Sequence, residues 1–151
     1  MQQRPSNDNL GKSEDNQQPD TERNTAGLVA RDEQGDDVWD WYINRDSGIA
    51  YVKLTQFNED TYMDLGRALE SMHSVAVPRG LILDLRYNPG GLLTSAYQIS
   101  DLFVEGGTIV SGEDKNGAQS FDLPAKRHTT LLGDLPTVVL INQGSASASE
   151  I

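Results

Sequence analysis

The chain has 151 residues, a formal net charge of −11 and no cysteine. Phosphate backbones and anionic membrane surfaces would repel so acidic a chain, which argues against nucleic-acid or lipid-surface binding. The lack of cysteine excludes disulfides, thiolate catalysis and cysteine-ligated zinc. No apolar run is long enough for a membrane span, and no charged-then-apolar leader follows Met1. The acidic residues lack the spacing of metal ligands, so we expect neither a metal nor a cofactor.

The first part of the chain is strongly polar. Between residues 1 and 25, only Met1 and Leu10 are sizeable apolar residues. Such a stretch buries too little surface to offset the entropy lost on ordering. We therefore predict a disordered segment over residues 1–26 and a folded unit over residues 27–151.

The folded unit begins with strand signals and continues with a helix signal. β-Branched and aromatic runs at residues 38–44 and 48–57 flank the turn sequence RDSG. This pattern is typical of a hairpin, or of two strands joined by a short loop. The next helix is expected to begin near Asn58 or Asp60, because apolar residues then recur at helical spacing up to Met72.

Two continuous apolar runs follow, at residues 81–85 and 136–142. Runs of this kind are typical of buried strands in a covered sheet. Between them, residues 93–104 have the pattern of an amphipathic helix, and residues 108–123 that of a hairpin around an Asn-Gly turn. The order strand, helix, strand, helix, hairpin, strand predicts an α/β fold with a mixed sheet.

Both apolar runs end in turns made of small residues. The sequence NPGG follows the first run, and GSASASE follows the second. In open α/β sheets, ligands bind at the carboxyl ends of the strands. Glycine lets a backbone amide approach a ligand, and the first amides of a helix favour negative charge. A serine that attacks a carbonyl needs such amides to hold the developing oxyanion. Alone, each motif is more often a plain turn or a linker.

Together, the two motifs and their strands are more specific. Residues 80–112 and 136–151 resemble the carboxyl-terminal processing peptidases, the tail-specific serine peptidases of family S41, and the likeness covers roughly residues 40–151. The resemblance implies an N-terminal part of a ClpP/crotonase-like catalytic core, incomplete at the C-terminus. It also implies a serine endopeptidase that acts on protein or peptide substrates through their C-terminal tails. Most bacterial relatives work outside the cytoplasm, although this sequence shows no signal peptide.

The resemblance assigns roles to residues of both motifs. Ser147 is the expected nucleophile, and the amide of Ala148 is one expected donor of the oxyanion hole. The other donor is an amide of the NPGG turn, from Gly90 or Gly91. Glu150 matches an acidic position of the family that supports the site.

The DLR sequence, with Asp84 and Arg86, also matches the family. For this pair we expect a structural ion pair or a hydrogen bond that braces the turn, rather than a direct part in the chemistry.

The general base of the family is a lysine, and it is expected downstream of Ile151. It must be neutral to accept the serine proton, so burial must lower its pKa. None of the lysines and histidines of this chain stands at the family position, and all are expected to be solvated: Lys12, Lys53, Lys115, Lys126, His73 and His128. The family's tail-binding PDZ domain does not fit in the length before the core.

Two other functions stay open at this stage. The chain could be a non-catalytic peptide-binding pseudo-peptidase or a truncated product. A weaker alternative is a crotonase-like site in which the NPGG and Ala148 amides hold a thioester enolate, but the serines would have no purpose there.

Overall fold

The computed structural model describes residues 28–29, 41–127 and 131–151. The predicted disordered segment, 1–26, lies outside the described residues, as do Lys12 and His128, so the proposed division of the chain stays a prediction. The strands are β1 Leu28–Val29, β2 Tyr42–Asn44, β3 Ile49–Leu54, β4 Gly80–Asp84, β5 Thr108–Glu113, β6 Gln119–Pro124 and β7 Thr137–Leu140. The helices are α1 Thr61–Val75 and α2 Leu93–Ser100, and a short 3₁₀ helix spans Ser147–Glu150.

Five of the strands form one mixed sheet in the order β1-β3-β4-β7, and β2 pairs with β3. The strands β1 and β2 run antiparallel to β3, whereas β3, β4 and β7 run parallel. Strands β5 and β6 form a separate antiparallel hairpin. The α/β fold with a mixed sheet and the hairpin at residues 108–123 are therefore confirmed. The hairpin of the runs at residues 38–44 and 48–57 is confirmed from residue 41 onward, since residues 38–40 lie outside the described residues. Among the described residues, no helix is long and apolar enough to cross a membrane.

The core lies between one face of the sheet and the two helices. Ala50, Val52 and Leu54, alternate residues of β3, are fully buried and belong to the same cluster as Leu65 and Met72 of α1. This alternation follows from the two-residue period of a strand. The opposite face of β3 is only partly covered.

Both helix predictions are confirmed, with small changes at the ends. Helix α1 begins at Thr61, and the side chain of Asn58 accepts hydrogen bonds from the amides of Asp60 and Thr61, both at 3.0 Å. Of the two predicted caps, Asn58 therefore supplies the side-chain acceptor. Helix α2 ends at Ser100 and not at residue 104, because the chain tightens into turns over residues 101–103.

The strand predicted at residues 136–142 is present as β7, but the prediction that it is buried was wrong. Val138 and Val139 of β7 are 57% and 50% exposed, and Ile141 is 65% exposed. Strand β7 lies at the edge of the sheet, where it pairs with β4 alone. Its apolar run indicated a strand correctly, but a run of apolar residues does not say whether the strand has a cover.

Candidate active site

The turn after β4 and the loop after β7 meet at the carboxyl edge of the sheet. The amide of Ala146 donates a hydrogen bond to the carbonyl of Asn88, at 3.1 Å. A Cβ atom on Gly90 would lie 2.7 Å from the Ala146 carbonyl oxygen and 2.9 Å from the Ala148 nitrogen. Only glycine permits this approach, so the two motifs are in close contact at Gly90 as well as at Asn88.

The backbone of Ser147 has an unusual conformation. Its φ of 55° lies in the left-handed region, which residues other than glycine rarely adopt. The amide of Ser147 donates a 2.6 Å hydrogen bond to a carboxylate oxygen of Glu150. A glutamate that reaches back to the start of its own helical turn stabilises that turn in the manner of a capping box.

The three serines of the loop differ in what their hydroxyls do. The Ser145 hydroxyl donates to the Leu85 carbonyl at 2.7 Å, and the Ser149 hydroxyl donates to the Asn88 carbonyl at 3.0 Å. The hydroxyl of Ser147 makes no hydrogen bond with any residue that the structure describes, and this side chain is exposed. The flanking serines fasten the loop, and the middle one is left available.

The two glycines of the NPGG turn also differ. The amide of Gly90 donates to the side-chain oxygen of Asn88 at 2.9 Å and is thereby occupied. The amide of Gly91 has no acceptor within the described part of the chain, and Gly91 is exposed. Gly91 has a φ of 140°, and a Cβ atom there would meet the Phe57 carbonyl oxygen at 2.0 Å. Position 91 therefore also requires glycine.

Ala148 follows Ser147 and is 6% exposed. It is the second residue of the 3₁₀ helix, and the first amides of a helix have no carbonyl partner within it. The amide of Ala148, next to Ser147, and the amide of Gly91, next to Gly90 in the NPGG turn, are thus two candidate donors, one from each loop.

Asp84, at the end of β4, is completely buried. Its carboxylate accepts hydrogen bonds from Arg86 Nη2 at 2.7 Å and from the Tyr51 hydroxyl at 2.6 Å. The hydrogen bond from Arg86 is the main cause that holds the pKa of Asp84 well below its usual range. Burial, followed by the hydrogen bond to Asp84, raises the pKa of Tyr51. The structural ion pair expected from the DLR sequence is present.

A sequence profile described as peptidase family S41 matches residues 48–151. The chain belongs to peptidase family S41.

Several C-terminal processing proteases are similar to this chain over about two thirds of its length. The carboxy-terminal-processing protease of Bartonella bacilliformis is 47% identical over 113 residues, which cover 68% of this chain and 24% of that protein. The carboxy-terminal processing protease CtpA of Bacillus subtilis is 40% identical over 108 residues, 71% of this chain and 22% of that protein. The solved structure of a photosystem II D1 C-terminal processing protease aligns with a TM-score of 0.61 and 33% identity, over 68% of this chain and 26% of that one. The chain spans about a quarter of the length of these relatives.

The described lysines and the described histidine make no hydrogen bond with Ser147. Lys115 and Lys126 are exposed, Lys53 is partly buried, and His73 is exposed. Lys126 lies over the ring of Tyr97, with its Nζ 5.6 Å from the ring centroid. None of these four side chains hydrogen-bonds to the Ser147 hydroxyl.

Sequence reasoning missed the residues that fasten the two loops together. Asn88 is completely buried, although a plain turn would leave it in solvent. The side-chain oxygen of Asn142 accepts hydrogen bonds from the amides of Tyr87 and Gly144, both at 2.9 Å. The only signal in the sequence was a set of residues with hydrogen-bonding side chains inside turn motifs, where such residues usually bond locally. Their partners lie as far as 61 positions away along the chain, as for Ser149 and Asn88.

Proposed function

We propose that the chain is an N-terminal part of the catalytic core of a serine endopeptidase that processes protein C-termini, with Ser147 as its nucleophile. The observation that carries the proposal is the state of the Ser147 hydroxyl. It is exposed on a left-handed turn and free of hydrogen bonds within the described chain, while both neighbouring serines are bonded to carbonyls. A nucleophile must be accessible in this way.

In the proposed reaction, the Ser147 oxygen attacks the carbonyl carbon of the scissile peptide bond. The electron pair of the carbonyl moves to its oxygen, and preorganised amides stabilise that charge. We assign this role to Ala148 and to Gly91, because the amide of Gly90 is already bonded to Asn88. The carbonyl then re-forms, the C–N bond breaks, and the amine leaves with the proton that the general base took from the Ser147 hydroxyl. Water next attacks the acyl-serine, which releases the new carboxyl terminus and restores the serine hydroxyl.

The proton of the Ser147 hydroxyl needs a base. We propose a lysine downstream of Ile151, kept neutral by burial. The lysines of the described chain are exposed or partly buried, and none is bonded to the serine, which makes them poor candidates. General-base assistance contributes about 10²–10⁴ in rate, so residues 1–151 alone should have little activity.

The substrates are proposed from the names of the relatives, which include carboxy-terminal-processing proteases of bacteria and a chloroplastic C-terminal processing peptidase. We propose that this protein also cuts proteins near their C-terminal tails and works outside the cytoplasm. A pseudo-peptidase that binds peptides without cutting them is the second candidate, since the described residues supply no base.

Labelling with a serine-reactive fluorophosphonate tests this function. The complete gene product should be labelled, and Ser147→Ala should abolish the label because it removes the attacking oxygen. Ser145→Ala should keep the label, since that hydroxyl holds the loop through Leu85 and attacks nothing. Labelling that survives Ser147→Ala would refute the assignment of the nucleophile. No labelling of the complete product, with saturable binding of C-terminal peptides, would favour the pseudo-peptidase.

A further inference from the structure

The side chain of Asn88 joins the NPGG turn to the sheet. This residue is completely buried. Its Nδ2 donates to the Leu54 carbonyl at the end of β3, at 3.0 Å, and its Oδ1 accepts from the Gly90 amide at 2.9 Å. Both ends of the amide group are therefore satisfied, as burial requires.

The backbone of Asn88 joins the same turn to the serine loop. Its carbonyl accepts hydrogen bonds from the Ala146 amide at 3.1 Å and from the Ser149 hydroxyl at 3.0 Å. Ala146 and Ser149 stand on either side of Ser147 and Ala148 in the sequence. One buried residue thus fixes both loops that supply the proposed oxyanion donors.

We propose that Asn88 and Ser149 are positioning residues that set the distance between the amides of Gly91 and Ala148. Asn88 occupies the Gly90 amide, whereas the Gly91 amide has no acceptor among the described residues and is available to the substrate. Ser149 holds the serine loop against the turn from the far side of Ser147. This inference rests on the proposed function, because only an acyl-transfer site needs the two amides at a fixed spacing.

A positioning role predicts a particular kinetic effect. Displacing a reacting group by about 1 Å can cost 10²-fold in rate. Deleting one fastening bond should loosen the donors without altering the surface that first binds the reagent. The rate at saturation should therefore fall, while the concentration that gives half of this rate should stay the same. A role in stability alone would leave the saturated rate of the folded enzyme unchanged.

Ser149→Ala is the informative variant, because it removes a single hydroxyl from a partly buried side chain. We expect the saturated rate of fluorophosphonate labelling of the complete gene product to fall by about 5- to 20-fold. Ser149→Thr keeps the hydroxyl and should recover most of the rate. Ser74→Ala is the matched control: it deletes a similar bond from a serine hydroxyl to the Ser71 carbonyl, at 2.8 Å on α1, and should change nothing.

Asn88→Asp would place an extra charge in a buried site and is expected to impair folding. The positioning role is therefore tested with the Ser149 variants. A rate for Ser149→Ala equal to that of the wild type would overturn the positioning role and leave the proposed function intact. A loss that Ser149→Thr does not reverse would also overturn it, because the hydroxyl would not be the cause. A wild-type product without any label would overturn the proposed function, and the positioning role with it.

Discussion

The charge of Asp84 is tied to the fold through hydrogen bonds to its buried carboxylate. Its carboxylate is completely buried and is held by Arg86, which is half exposed, and by the hydroxyl of Tyr51. Since its pKa in the folded protein lies below the value of about 3.9 for an unfolded chain, the ionised carboxylate stabilises the folded state. This contribution is complete above the unfolded pKa. It is lost as the pH falls from about 4 toward the folded pKa.

We predict that Asp84→Asn costs about 2 kcal/mol of unfolding free energy at pH 7. This loss of unfolding free energy is near the lower end of the range for hydrogen bonds to charged groups, because solvent screens the charge of the half-exposed Arg86. Urea denaturation at a series of pH values checks this: the difference from wild type should shrink as the pH falls below about 4. Asp122→Asn on the exposed strand β6 is the control, and its curve should parallel that of the wild type. A difference that is constant from pH 7 to pH 3 would contradict the linkage.

At the scale of single residues, the sequence predicted what a residue does better than it predicted which distant residue it bonds to. The ion pair of Asp84 and Arg86 could be predicted, since the two residues are adjacent in a recognisable motif. The fastening roles of Asn88 and Ser149 could not, because their bond closes a loop between residues that are far apart in the chain. The choice between Gly90 and Gly91 stayed open for the same reason, since it depends on which amide the Asn88 side chain has taken.

At the scale of elements, the NPGG turn depends on two glycines that no other residue can replace without strain. A Cβ atom on Gly90 would come within 3 Å of the serine loop, whereas one on Gly66, in the middle of α1, would meet nothing within 4 Å. Gly90 and Gly66 therefore differ in whether they tolerate a side chain. Gly90 also has a φ of 101°, whereas Gly66 lies in a regular helix, where alanine is the better residue.

We predict that Gly66→Ala raises the unfolding free energy by about 0.5–1 kcal/mol, because alanine restricts the unfolded chain and favours the helix. Gly90→Ala should lower it by about 2 kcal/mol or more, through backbone strain and the clash with the serine loop. Thermal or urea denaturation measures both, and the labelling rate of Gly90→Ala should fall as well. A neutral Gly90→Ala variant would mean that the two loops are not in close contact.

Hydrophobic periodicity was sufficient to predict the elements themselves. Both helices, the Asn-Gly hairpin and the two parallel strands β4 and β7 lie where the pattern indicated them. The predicted burial of β7 was wrong, because the residue pattern of a strand does not indicate where that strand lies in the sheet. The same apolar sequence, with Val138 and Val139, could form a strand at the edge of a sheet or in its middle.

At the scale of the whole molecule, β7 presents an apolar surface on both faces. Val138 and Val139 point to opposite sides of the sheet, as neighbours in a strand must, and each is at least half exposed. The matched relatives are about four times as long as the aligned part. We propose that further parts of the complete protein cover these valines.

We predict that Val138→Lys changes the unfolding free energy of the 151-residue chain by no more than about 0.5 kcal/mol, since the side chain is exposed there. In the complete gene product, the same substitution should cost about 2–4 kcal/mol, because the charge would replace a buried methyl-bearing side chain. Val77→Lys, at a position that is 73% exposed in the loop after α1, is the control and should have a small effect in both proteins. Urea denaturation of the two lengths side by side makes the comparison. Equally small effects of Val138→Lys in both would mean that the β7 face stays open, and that the remaining parts of the protein pack elsewhere.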